Sequence, residues 1–153
     1  MEISIKRISF EIICPIWTNY LWPARSSAIE NYSQIVFNKH PYEYNSEYKY
    51  SEFIGFGAYI DNELVGVNSC HVTGISLRSR GLYVFPKFRS LGIGCRLLNE
   101  TINTGSHKGL MFTWSMPRKS SISTYAKAGF GRCSEWFETE TSDNNCFVVH
   151  FND

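Results

Sequence analysis

Residues 80–98 read Arg80-Gly-Leu-Tyr-Val-Phe-Pro-Lys-Phe-Arg-Ser-Leu-Gly-Ile-Gly-Cys-Arg-Leu-Leu98. The apolar run at 81–85 is strand-forming, and Pro86 closes it because proline cannot donate into a ladder. Past Gly92 and Gly94 the period changes. Ile93, Leu97, Leu98 and Ile102 fall on one face of a helix, predicted over 93–103. The opening N–H groups of such a helix have no internal partner and sit at the positive end of its dipole. Side chains are absent at Gly92 and Gly94, so an anion can approach those N–H groups closely. Arg89 adds a fixed positive charge there or braces the loop. A further strand at 110–114 follows the helix and ends before Pro117. A helical crossover of this kind makes the two strands parallel neighbours.

The segments 53–60 and 63–72 are rich in strand formers, and Asp61-Asn62 between them suits a tight hairpin turn. Ile3, Ile5 and Ile8 suggest an opening strand. Residues 10–40 are expected to hold two helical pieces punctuated by Pro15 and Pro23, with 26–37 the better helix. The Tyr-rich stretch 41–51 has no clear period and reads as a loop. A short helix is predicted at 120–127, stopped at Ala128-Gly129-Phe130. Strands at 135–139 and 146–151 look like a closing pair. The order β-α-α-β-β-β-α-β-α-β-β gives a mixed α/β domain, expected to occupy 1–153 as one unit.

Composition narrows the function. The chain has 153 residues, 43% of them hydrophobic and 19% charged, and a formal net charge of +1. That is globular, and it gives no support for nucleic acid as a partner. Five cysteines, widely spaced and without a CxxC pair, argue against a disulfide framework and a structural zinc site. The four histidines have no metal-ligand spacing, so no metal is expected. No segment approaches the roughly 20 apolar residues of a membrane span, and the N-terminus lacks a signal-peptide core. A cytoplasmic protein, monomeric or homodimeric, is the expectation. The glycine loop is neither a dinucleotide fingerprint, which needs a third glycine and a later acid, nor a P-loop, which needs Gly-Lys-Ser/Thr.

The loop does resemble motif A of the GNAT acetyltransferase superfamily: Val84, Pro86, Phe88, then Arg89-x-x-Gly92-x-Gly94. Downstream, Tyr125-Ala-Lys-Ala-Gly-Phe130 resembles the same family's motif B, at a suitable distance and in the right order. The resemblance implies a GNAT fold, a mostly antiparallel twisted sheet with one parallel, splayed strand pair, flanked by helices. It implies acetyl-CoA as co-substrate and an amine as acceptor. The backbone at Leu82, Tyr83 and Val84 would pair with pantetheine and hold the thioester carbonyl. The loop Arg89, Ser90, Leu91, Gly92, Ile93, Gly94 and Cys95 would bind the pyrophosphate, with Arg118 and Ser121 nearby.

By the same similarity Tyr125 would protonate the departing sulfur, though a tyrosine there also packs a helix onto a sheet. The carboxylate that many members carry before the loop is replaced by Arg80-Gly81-Leu82. His71 is then the candidate base, with Glu30 a weaker one, and a structural histidine the alternative. Arg118 stands where members often have Asn, so it would reach CoA phosphates or an acidic substrate. Trp22, Arg25, Asn68, Ser69 and Trp114 are the candidate acceptor-pocket residues, and Arg25, Arg78 and Arg80 hint at an anionic acceptor. Two other readings stay open: a non-catalytic acyl-CoA-binding module, and an acyltransferase with another acyl-CoA or acceptor.

Overall fold

Asp61 and Asn62 adopt φ of 50° and 66°, the left-handed pair that a two-residue hairpin needs and that Asp and Asn tolerate. They join β2 (Ile54–Ile60) to β3 (Glu63–Thr73). In this computed structural model, which describes residues 2–152 and the backbone alone at 142 and 143, that hairpin anchors a seven-stranded sheet. β1 (Ser4–Ile8) pairs antiparallel with β2, and β3 pairs antiparallel with β4 (Ser76–Val84). From β4 the chain crosses through α2 (Ile93–His107) to β5 (Phe112–Ser115), its parallel neighbour. α1 is Phe10–Ile16, α3 is Ile122–Lys127, β6 is Gly131–Arg132, and β9 is Val148–Phe151. The sheet order is β1-β2-β3-β4-β5-β9-β6. The mixed sheet with one parallel pair is the expected fold.

The parallel pair is short. Ser76, Leu77 and Arg78 lie opposite Phe112, Thr113 and Trp114, and beyond Arg78 the two strands part. The wedge between them is the feature that positions the site. β4 itself begins five residues earlier than its apolar run suggests, because its first half carries Arg78 and Arg80 rather than alternating apolar side chains. A bulge then resets its period: Ser69 faces Arg80 while Val67 faces Tyr83, leaving Gly81 and Leu82 opposite Asn68 alone. Before the bulge Leu77 packs under α2 and the arginines lie on the other face. After it, Leu82 and Val84 pack toward α2 with Ile93 and Leu97, and Tyr83 joins the Trp17 side.

Two expectations need correction. Residues 26–37 are not a helix. The backbone N–H of Ser26 donates to Glu140, that of Ser33 to His71, and Ile35 bridges Tyr44. Ile35 and Phe37 go instead to a cluster around Trp114, Phe137 and Phe147. Long-range aromatic packing outweighs a segment of weak helix formers. The closing strands do not pair with each other either. β7 (Phe137–Thr139) pairs with β8 (Ser142–Asn145) in a separate two-stranded ribbon, while β9 lies between β5 and β6. The helical part of 10–40 is α1, continued directly by a π-type turn at Trp17–Leu21.

Candidate functional site

The first cleft, of about 590 Å³, lies between the free edge of β4, the N-terminus of α2 and α3. Leu82, Tyr83, Val84, Arg89, Ser90, Gly92, Ile93, Gly94, Cys95, Arg118 and Ser121 all line it. Leu91 does not; it is 43% exposed. Tyr20, Leu21, Ser120, Thr124 and Lys127 also line it. Sequence reasoning missed these, although Lys127 at the end of a predicted helix was a usable signal.

Geometry at the loop follows from its backbone. Gly92 caps α2 with φ 80° and ψ 8°, and a Cβ there would meet nothing within 4 Å. Glycine is required by conformation rather than space. Gly94 differs: its Cβ would lie 3.0 Å from Thr124, so its smallness lets α3 approach α2. No side chain caps α2, leaving its first N–H groups open to the cleft. The Arg89 Nε donates to the Val84 carbonyl at 2.8 Å, and its guanidinium lies 5.3 Å from the Tyr83 ring. Arg89 therefore braces the loop. The Phe85 N–H donates to Val65, and N–H groups alternate along a strand, so that of Val84 points away from β3 into the wedge. Across the cleft, Arg118 donates to the Leu21 carbonyl, tying the π turn to the β5–α3 connection.

Tyr125 sits behind this wall, only 4% exposed, with its ring 5.5 Å from Phe130. Burial raises its phenol above the ordinary 10, opposed by a hydrogen bond with the Ser115 side chain and by the Arg78 charge. Ser115 ends β5, and its hydroxyl donates to the Ser79 carbonyl at 2.8 Å. The Tyr125 hydroxyl thus belongs to the apex of the wedge.

His71 lines neither cleft. It is 1% exposed, and its Nε2 accepts the Ser33 N–H at 3.2 Å. Burial, then the Arg78 and Arg80 charges, push it down from 6.5 to about 3. A lone pair already used and so weakly basic does not suit a general base. The imidazole instead pins the 26–37 segment. Because the folded value lies below the unfolded one, His71 favours folding fully above about pH 6.5, and that contribution is lost as pH falls toward 3. Between pH 7 and 5 the loss should be about 2 kcal/mol. His71→Gln, which keeps an acceptor without titrating, should show a urea midpoint that falls less over that range. Equal declines in both proteins would refute the role.

The second cleft, of about 500 Å³, opens on the opposite face of β4. Trp22 and Arg25 line it, together with Glu30, Tyr32, Tyr42, Arg78 and Arg80. Asn68, Ser69 and Trp114 do not reach it, which corrects their placement. The Asn68 amide donates to the hydroxyls of Ser79 and Thr101, and Ser69 donates to the Arg80 carbonyl. Trp114 lies under the Arg78 guanidinium at 4.7 Å. They support the wall. Burial lowers Arg78 to about 10 and, with the Arg78 charge second, Arg80 to about 9. Among the described residues no group of His, Cys, Asp or Glu can hold a metal ion, and no helix is long and apolar enough to cross a membrane.

The family model described as the acetyltransferase (GNAT) family matches residues 16–130. No curated protein matches by sequence. Solved structures share the fold at low identity. An IAA acetyltransferase from Bacillus cereus superposes with a TM-score of 0.70 at 17% identity, covering 98% of this chain and 99% of its own. The ribosomal-protein-S18-alanine N-acetyltransferase from Escherichia coli gives 0.66 at 12% identity, with 98% and 94% covered. A putative streptothricin acetyltransferase from Bacillus anthracis, in complex with acetyl coenzyme A, gives 0.65 at 15% identity with both chains fully covered, 100% each.

Proposed function

The chain belongs to the acetyltransferase (GNAT) family, and from that premise we propose that it is a single GNAT domain transferring the acetyl group of acetyl-CoA to a primary amine. The observation that carries the reading is one cleft bounded by an unpaired strand edge and an uncapped helix N-terminus. An extended pantetheine arm can add to the edge at Leu82 and Val84 as a strand would. The diphosphate suits the first N–H groups of α2, and Arg118, Ser121 and Lys127 offer further donors along the same wall. Bound there, acetyl-CoA supplies an activated acyl carbon at the wedge.

This chain's groups then have distinct tasks. The Val84 N–H, directed into the wedge, would stabilise negative charge on the thioester oxygen. As the amine nitrogen bonds to the carbonyl carbon and the C–S bond breaks, the sulfur gains a proton and the nitrogen loses one. Tyr125 fits the first transfer, since burial keeps its phenol protonated. Glu30, which lines the second cleft, would take up the second, because Glu140 is engaged by Ser26 at 2.6 Å and 2.7 Å.

Calorimetry with CoA and acetyl-CoA should give saturable heat, and acetyl-CoA with mixed amines should release free thiol above its spontaneous hydrolysis. No heat with either ligand overturns the proposal. Heat without any thiol release across a broad amine panel would leave a binding module instead.

A further inference from the structure

We infer that the second cleft takes a small amine that carries a carboxylate, seated on Arg78 and Arg80 with the amine directed to the apex of the wedge. This rests on the acetyl-transfer reading and names its acceptor class.

The two arginines stand two residues apart on one face of β4, 7% and 4% exposed. Neither has a carboxylate partner: among the described residues the ion pair found is Lys108–Glu52. Their contacts are neutral. Arg78 donates from Nε to the Ser79 carbonyl at 3.1 Å and lies over Trp114, while its Nη1 is buried without a hydrogen-bond partner. Arg80 donates from Nη1 to the Glu30 carbonyl at 2.8 Å and lies 5.1 Å from both Trp17 and Trp22. Two adjacent buried cations with a spare donor are costly unless an anion completes them.

The surroundings select the anion. The guanidinium fork matches a carboxylate or a phosphate. Three arginines, at 25, 78 and 80, face two glutamates, at 30 and 140, so the lining carries one net positive charge. One carboxylate balances that charge, whereas a dianionic phosphate would overshoot it and meet the glutamates. Arg78 lies opposite Trp114 on the last rung before β4 and β5 part. The anion seat is therefore beside the apex, and the acceptor's carboxylate must lie within a few bonds of its amine, as in an amino acid. Tyr32, Tyr42 and Trp22 give the remainder of the ligand flat apolar walls.

The test compares acids with their amides in the intact protein. Thiol release from acetyl-CoA is measured with each proteinogenic amino acid and with its carboxamide. The best pairs should show at least about a tenfold preference for the acid in kcat/KM. Equal or better use of the amides overturns the assignment. A binding arm does not depend on turnover. Benzoate should bind at least about tenfold more tightly than benzamide, and Arg78→Gln should abolish that difference without weakening CoA. Arg80→Lys, which keeps the charge but loses the fork, should reduce it. Equal binding of benzoate and benzamide, or tighter binding of phenyl phosphate than benzoate, sinks the carboxylate seat. Failure to bind CoA would instead sink the acetyl-transfer reading, and the benzoate titration would still report on the arginines.

Discussion

Gly92→Asp should raise the dissociation constant for CoA at least about a hundredfold while costing about 1 kcal/mol of stability or less. The two halves of that result have one cause. Gly92 is the N-cap of α2, in the left-handed region at φ 80°, and open space surrounds its missing Cβ. Aspartate tolerates that region better than most residues, which keeps the cost small. Its carboxylate would stand beside the N–H groups that open α2, the donors proposed for the diphosphate, and would repel it. Gly92→Ala separates the effects: its methyl meets nothing within 4 Å, so it should cost about 1 kcal/mol of stability from the positive φ but keep CoA affinity within about tenfold. Differential scanning fluorimetry and calorimetry on both variants read the two quantities apart. Normal CoA binding by the aspartate variant would place the diphosphate elsewhere.

What could be read in the sequence was whatever is decided locally. The hairpin at Asp61-Asn62 is fixed by two residues that accept positive φ, and α2 by a regular apolar stripe after a glycine pair. The crossover from β4 to β5 follows from the helix between them. Where packing between distant segments decides, the sequence was silent or misleading. The stretch 26–37, set off by Pro23, reads as a helix, yet Ile29 belongs to the Trp17 cluster and Ile35 and Phe37 to the Trp114 cluster. No local pattern announces that Ser33 will donate to His71, 38 residues away. The first half of β4 looked like loop because Arg78 and Arg80 occupy positions where a strand would show apolar side chains. Tryptophans at 17, 22 and 114 supply the faces that make those arginines tolerable inside. The candidate site divides the same way. The loop around α2 was legible as a motif, while the second cleft, assembled from β4, the 26–44 segment and the β7–β8 ribbon, was visible only as a scatter of arginines.

Gly81→Ala is expected to be the most damaging single-methyl change, costing about 3 to 5 kcal/mol. Gly81 adopts φ 84°, where alanine is strained, and its added Cβ would fall inside the indole of Trp17. That indole cannot yield cheaply. It is fully buried, its Nε1 donates to the Gly81 carbonyl at 2.8 Å, and the Arg80 guanidinium rests 5.1 Å from its ring. Pushing Trp17 aside breaks the bond and uncovers the arginine. Pushing β4 aside undoes the bulge, and then Arg80 and Leu82 cannot both keep their faces, since the one-residue reset puts the cations on the second cleft and Leu82 on the first. Urea unfolding followed by tryptophan fluorescence measures the cost. Where Gly81→Ala stays folded, acceptor use should fall more than CoA affinity, because the displaced ring borders the arginines rather than the α2 loop. A loss below about 1 kcal/mol would mean that the bulge relaxes without disturbing Trp17. Placing anion-holding side chains and the thioester-facing backbone on one strand would then need a different explanation.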